Sequence, residues 1–210
     1  MSFTRPVLKS RRGLTLLELV VVVAVMAIIA GAMVPNVAHY LASSKVTAAN
    51  ASLAHIRDAI VGTPEIPGYL ADTGQWPTTL ADLVRNPFPP GNPLATFNRD
   101  SRRGWRGPYL LNANGSYTVD NTRNFTSAYG IGGDSALLDP WGNPIILQRS
   151  TIGVPDGTPD ANNCFIRLVS AGPNGILDTP RDYSGTPYPP RAARGDDIVL
   201  FINHVDAYQP

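Results

Sequence analysis

The longest apolar run of the chain lies near its N-terminus. From Leu14 to Val34 it reads LTLLELVVVVAVMAIIAGAMV, 21 residues whose single charge is Glu18. At about 1.5 Å per residue a helix of that length just spans a hydrocarbon core of about 30 Å, so the run predicts a transmembrane helix. A cleavable secretory signal would have a shorter apolar region, of about 7–15 residues, with its small residues at the far end. Here the small residue, Gly13, precedes the run on its basic side. Beyond Pro35, apolar residues recur at Val37, Tyr40, Leu41, Val46, Ala49, Leu53, Ile56 and Ile60. Spacings of three and four predict an amphipathic helix with one stripe against a domain. Pro35 removes a backbone hydrogen bond and is expected to kink or locally melt the helix. Gly62 and Pro64 end it. His39 and His55 fall along this helix and read as ordinary surface residues.

After Pro67 the pattern changes to short apolar stretches broken by Gly, Pro, Asn and Asp. Thr79 is placed to cap a short helix running to Val84, with Asp82 three residues on as an imperfect capping box. Residues 87–104 read as loop. Strands are expected at Pro108–Leu111, Ile145–Arg149, Phe165–Ser170 and Ile198–Ile202. Asp139-Pro140-Trp141-Gly142-Asn143-Pro144 reads as two successive bends, Asp-Pro opening the first and Gly-Asn-Pro closing the second, with Trp141 packed on the sheet or the long helix.

Charge adds direction to this picture. The net charge of +1 over 210 residues argues against a general nucleic-acid binder. It hides an asymmetry: Arg5, Lys9, Arg11 and Arg12 stand in residues 1–13 without an acid, which leaves 13 basic against 16 acidic residues in the remainder. A short basic head before an apolar run is the pattern of a segment retained on the cytoplasmic side of a membrane. Cys164 is the only cysteine, so no intramolecular disulfide forms. It reads as a small buried apolar residue. Gly and Pro make up 39 residues, so stability must rest on a modest core and turn chemistry, with a bound ion as an option, rather than on covalent staples.

Glu18 is the most informative position in the apolar run. A carboxylate at the centre of a transmembrane helix costs roughly 2.5–3.5 kcal/mol and persists where it has a partner or a job. One reading lets it snorkel to the interface from its place near the helix start. The other pairs it with the α-amine that cleavage after Gly13 would create on Leu14 of a neighbouring subunit. Arg11-Arg12-Gly13-Leu14-Thr15-Leu16-Leu17-Glu18 resembles the prepilin-peptidase motif of type IV pilins and type II secretion pseudopilins. The resemblance implies a cut between Gly13 and Leu14, N-methylation of Leu14, an assembly role for Glu18 as the fifth mature residue, and the proline common at mature position 22, here Pro35. Leu14 stands where phenylalanine or methionine is commoner.

Further islands extend the resemblance. GQWPTTLADLV, WRGPYL, LDPWGNPI, a stretch ending VSAGPNG, and GDDIVLFI follow the order seen in the major pseudopilin of type II secretion. That family implies an α+β fold, a long helix packed on a small antiparallel sheet. It also implies a division into a cleaved leader at 1–13, a transmembrane and polymerisation helix at 14–35, its amphipathic continuation at 36–62, and a periplasmic or extracellular head at 63–210. Insertions at about 88–103, 112–136, 150–163 and 179–195 depart from the family pattern. The implied partners are a prepilin peptidase, further copies of the chain, other pseudopilins and an inner-membrane assembly platform. The implied function is a structural subunit of a pseudopilus that drives protein export, with the chain single-pass in a bacterial inner membrane. A type IV pilus subunit and a membrane-tethered binding module that forms no fibre are the alternatives.

Candidate chemistry is confined to a few loops. Asn174, Asp178, Asp182, Asp196 and Asp197 supply hard oxygen donors of the kind Ca²⁺ takes in shells of six to eight, and the carbonyls around Val169–Gly172 would complete such a shell. The resemblance implies calcium held in this loop, with Asn174 and Asp197 the best positional matches. Asp156, Asp160 and Asn162 form a second cluster that reads as solvated. Arg99, Arg102, Arg103 and Arg106 surround Trp105, a pattern suited to phosphates or to an acidic protein face. Asp100 in the same loop and the acidic remainder of the chain favour a protein contact. No nucleophile motif, phosphate loop or His-rich metal spacing is found, and His204 stands alone, so no enzymatic activity is expected.

Overall fold

A computed structural model describes residues 15–111, 113–149, 166–181 and 195–202, together with the backbone but not the side chains of 32–36. Gly13, Leu14, Asp156, Asp160, Asn162, Cys164, Asp182 and His204 lie outside the described residues, as does the side chain of Pro35. The chain is α+β and divides into two compact units, Met1–Ser43 and Ser44–Pro210. The boundary falls inside the first helix, α1, which runs from Leu16 to Val61 and passes through Pro35.

In the first unit α1 starts on Thr15, whose Oγ1 accepts the Glu18 backbone N–H at 3.2 Å while its carbonyl accepts Leu19 N–H at 3.1 Å. That closes the first turn and satisfies one of the donors every helix start leaves orphaned. The apolar side chains that follow are exposed all round, from Leu16 at 82% through Val22 at 47% to Ile28 at 72%. Among the described residues no helix is long and apolar enough to cross a membrane. The described apolar positions of this run, 16–31, would measure about 24 Å as a helix, against about 30 Å for a hydrocarbon core. The expected stripe also fails in its first half: Val37, Tyr40 and Leu41 are more than half exposed and Val46 is 41% exposed.

The stripe becomes real in the second unit, where Ala49, Leu53, Ile56 and Ile60 are fully buried at the three-and-four spacing. Leu53, Ile56 and Ile60 pack on a three-stranded antiparallel sheet formed by β3 (Ile146–Arg149), β4 (Ile166–Ser170) and β5 (Ile198–Phe201), with β4 in the middle. Register places Leu147, Leu168 and Leu200 in one row facing α1, and Ile146, Val169 and Val199 in a row on the opposite face. Side chains alternate across a strand. β4 is nevertheless buried at all five positions, so both sheet faces are covered.

The second cover comes from the segment 113–136. A two-residue pair, β1 (Gly115–Ser116) with β2 (Ser135–Ala136), frames Tyr117, Phe125 and Tyr129, which are buried against Ile146, Val169, Ala171 and Leu177. A polar row lies on the same face. Arg167, fully buried on β4, donates to Gln148 Oε1 at 2.8 Å and to the Pro180 carbonyl, and its guanidinium lies 5.7 Å from the Phe201 ring. Gln148 donates in turn to the Thr179 carbonyl at 2.9 Å and to the Tyr129 hydroxyl at 3.2 Å.

Other elements adjust the sequence reading. The short helix after Thr79 forms as a 3-10 turn, Leu80–Leu83, and Asp82 accepts from Thr78 N–H at 2.7 Å and Thr79 N–H at 3.2 Å. A five-residue helix, α2 (Tyr69–Thr73), was not anticipated; it ends on Gly74 in the left-handed conformation that favours glycine. The strand expected at Pro108–Leu111 does not form. Pro108 has no N–H, and the amides of Tyr109 and Leu110 both donate to the Leu83 carbonyl, so this segment closes the end of the 3-10 turn instead of pairing with a strand.

Candidate functional site

The residues singled out by the sequence fall at the start of α1, in the loop between β4 and β5, and around Trp105. At the start of α1, Thr15-Leu16-Leu17-Glu18 is spaced as a capping box, a Thr with a Glu three residues on. The Thr15 half is made, and Glu18 stands in the first helical turn. Its carboxylate forms no ion pair among the described residues. The partial positive charge of the helix start favours a carboxylate there. The capping spacing was legible in the sequence. It gives Glu18 a local reason to be acidic.

Residues 8–34 match the family model of the prokaryotic N-terminal methylation motif. That motif is typical of type IV pilin-like proteins and indicates a prepilin-peptidase substrate that is anchored in a membrane and assembles as pilins do. No curated protein and no solved structure matches the chain. The match covers Glu18 and the whole apolar run, and ends just before Pro35.

The second place is the loop between β4 and β5, whose two ends are drawn together by carboxylates. Asp196 Oδ2 accepts the Asn174 N–H at 2.8 Å, and Asp197 Oδ2 accepts the Thr179 N–H at 2.7 Å. Asn174 Nδ2 donates to Asp178 Oδ2 at 3.1 Å, and Asn174 Oδ1 takes the Ile176 N–H at 2.6 Å. The expected set Asn174, Asp178, Asp196 and Asp197 is thus brought together. Gly172 makes the approach possible: a Cβ at this position would lie 2.2 Å from the Asp196 carbonyl oxygen.

The remaining oxygens, Asp196 Oδ1 and Asp197 Oδ1, are buried and accept no hydrogen bond among the described residues. A buried carboxylate oxygen without a donor is costly. Burial accordingly raises the Asp197 carboxyl above its ordinary range, Thr179 opposes the rise through its side chain and its amide, and the neighbouring charges of Asp178 and Asp196 add to it. Oxygens of this kind fit a hard cation. No group of three or more His, Cys, Asp or Glu side chains is gathered closely enough to hold a metal among the described residues, so a shell here would need Asn174 and backbone carbonyls.

The Asp139–Pro144 bends prove to be a brace for this loop. Asp139 Oδ1 accepts the Trp141 and Asn143 amides, each at 2.9 Å, and Oδ2 accepts the Ser170 hydroxyl at 2.7 Å. Asn143 donates to the Gly172 carbonyl at 3.2 Å and accepts from Arg123, which also donates to the Gly175 carbonyl at 2.7 Å. Trp141 is half-buried and belongs to neither core cluster.

The arginine cluster separates into two parts. Arg106 makes a bidentate pair with buried Asp72, Nε to Oδ2 at 3.1 Å and Nη2 to Oδ1 at 3.0 Å, and lies 4.8 Å over the Phe97 ring. Tyr109 OH adds a third donor to Asp72. Trp105 is half-buried and donates Nε1–H to the Asp82 carbonyl, which turns it inward rather than towards a ligand. Arg99, Arg102 and Arg103 stay exposed and in no ion pair among the described residues. Sequence reading missed Asp72, whose pairing with Arg106 spans 34 positions and leaves no local signal.

Proposed function

We propose that the chain is a pseudopilin-like structural subunit. A prepilin peptidase would cut it after Gly13, and it would assemble through its N-terminal helix into a fibre that drives type II-like protein export. The observation that carries this reading is the methylation motif over residues 8–34, within which the described apolar side chains of α1 face outward in every direction. A helix apolar all round requires lipid or protein on all sides. Counted on the sequence, Leu14–Val34 is long enough to span a bilayer. The basic leader would stay in the cytoplasm and the head would stand on the periplasmic side. The order of the islands between Gly74 and Ile202 favours a secretion pseudopilus over the second reading, a type IV pilus subunit. No catalytic role is assigned to the chain.

Calcium belongs to this proposal. Asp196 and Asp197 would offer their undonated oxygens, with Asn174, Asp178 and the Val169–Gly172 carbonyls around them, and the ion would supply positive charge to a loop that otherwise buries carboxylates. Peptidase processing is tested by the intact mass of membrane-extracted protein, expected to begin at Leu14 with a methylated amine. Glu18→Ala is expected to insert as well as wild type, since it deletes a charge from the apolar run, and to form few or no fibres by electron microscopy of sheared preparations. A mass retaining Met1–Gly13 with the peptidase present would sink the assignment. Wild-type fibre yield from Glu18→Ala would sink the amine pairing alone.

A further inference from the structure

We infer that the Asn98–Arg103 loop is an intersubunit contact, its exposed arginines seating on the acidic surface of a second copy of this chain. This inference rests on the polymeric reading above and adds a surface in the head to the contact made by the helix. The loop is built to hold its shape. Asn98 Oδ1 accepts the Asp100 and Ser101 amides at 2.8 and 3.1 Å, and Asn98 and Arg103 exchange backbone bonds at 2.7 and 3.3 Å. At its base Gly104 N–H donates to the Asp72 carbonyl and Trp105 N–H to that of Leu94. Arg102 sits at φ 52°, a left-handed conformation uncommon outside glycine. A mobile tip would have no need of that conformation, and here it is set by the turn and the bridge around it.

The loop borders an open groove of about 390 Å³ lined by Asp72, Phe97, Arg99, Arg102 and Arg106 among others. Arg106 and Tyr109 already occupy the Asp72 carboxylate, so the groove presents the uncommitted cations Arg99 and Arg102 beside an aromatic ring. Guanidinium forks with a stacking surface are the side chains that recognise carboxylates at protein interfaces.

Charge complementarity points to a second copy as the occupant. Between 97 and 106 there are four arginines and one aspartate, while the rest of the chain after Gly13 carries 9 basic and 15 acidic residues. Each copy therefore carries a cationic loop on a chain whose remainder is net acidic. Copies of one chain in one fibre bring the two together in every repeat, and such contacts set register and encounter rate.

The mature chain suits a direct test because Lys45 is its only lysine. In Arg102→Lys, carbodiimide treatment of assembled fibres joins the introduced amine to a carboxylate within bonding distance. The expected product is a ladder of covalent dimers and larger species, absent from wild type, with peptide mapping that joins position 102 of one chain to an Asp or Glu outside 97–106. Arg99→Glu/Arg102→Glu is expected to lower fibre yield about tenfold, with an unchanged melting temperature and normal leader removal. Arg85→Glu, a reversal outside the loop, should assemble as wild type does. Where the reversal variant melts early, Arg99→Gln/Arg102→Gln replaces it.

Links confined within one chain, or wild-type yield from the reversal variant, would overturn the inference while leaving the pilin-like reading intact. So would salt-sensitive binding of a duplex DNA oligonucleotide lost in a reversal variant that still makes fibres. Absence of leader removal and of fibres in the wild type would remove both.

Discussion

Asp197 shows how much one residue's surroundings decide. Its carboxyl is raised because burial penalises the charged form more than the Thr179 amide favours it. The sign follows from the direction of the shift. A folded-state pKa above the unfolded value means stability that is full below the unfolded pKa and is lost as pH rises through the folded one. At neutral pH without calcium the ionised Asp197 therefore costs stability. Asp197→Asn keeps an acceptor for the Thr179 amide and deletes that charge. It is expected to raise the melting temperature in chelator at pH 7, to change little below pH 4, and to abolish the increase that calcium gives wild type. An ion that binds only the folded head stabilises it by about 2.7 kcal/mol at a hundred times its dissociation constant. Equal wild-type melting temperatures in calcium and chelator would strike the ion from the proposal.

At the scale of elements, α1 behaves as two helices in one. From Ala49 to Ile60 its stripe is fully buried in the head, whereas from Leu16 to Ile29 and from Val37 to Leu41 its apolar residues face outward. Deleting a side chain should therefore have opposite consequences at the two ends. Leu53→Ala leaves a cavity among residues such as Ile56, Leu83 and Leu168, and is expected to cost the head about 2–5 kcal/mol in denaturant unfolding of detergent-solubilised protein. Leu41→Ala is expected to leave that unfolding curve within about 0.5 kcal/mol of wild type, and its effect should be read in fibre yield instead. The periodicity of three and four was the same along both halves, so the sequence alone could not say where the stripe meets a domain. The sheet was more legible. Strands at 146–149, 166–170 and 198–201 fall where β-branched and apolar runs sit between turn residues. Pro108–Leu111 carried a similar apolar signature and failed because its two amides are spent on the Leu83 carbonyl.

For the whole molecule, two cores lie on the two faces of one small sheet, and tyrosines mark both. Burial, the leading cause in each case, pushes Tyr69, Tyr109 and Tyr117 up to about 12. Tyr69 and Tyr109 belong with the α1 side, and Tyr117 belongs to the cover on the other face. Because the folded values exceed the unfolded value of about 10, the neutral phenols contribute stability that is complete below pH 10 and falls as pH rises towards 12. Ultraviolet titration is expected to show these phenols ionising late and together with loss of near-ultraviolet circular dichroism. Ionisation near pH 10 with the fold intact would contradict the burial. Tyr117→Phe should remove a share of the alkaline loss, at the expense of its hydrogen bond to the Thr126 carbonyl.

What the sequence determined by itself are the properties that are local along the chain. The processing motif, the apolar run, Glu18, the capping box at Thr79 and Asp82, and the acidic composition of the β4–β5 loop can each be read along one continuous stretch of chain. A peptidase, a membrane or a helix turn reads them in that form. Tertiary structure alone decided the rest, because it rests on pairs far apart in sequence. Asp72 is paired with Arg106, Arg167 is buried beside Gln148, and the segment 113–136 becomes the cover of a second core. Asp197 becomes a buried carboxylate only because Thr179, 18 residues earlier, folds back onto it. A side chain's residue type sets what it can donate, accept or exclude. Which partner it meets is set by how the strands register and which face of the sheet a loop returns to cover.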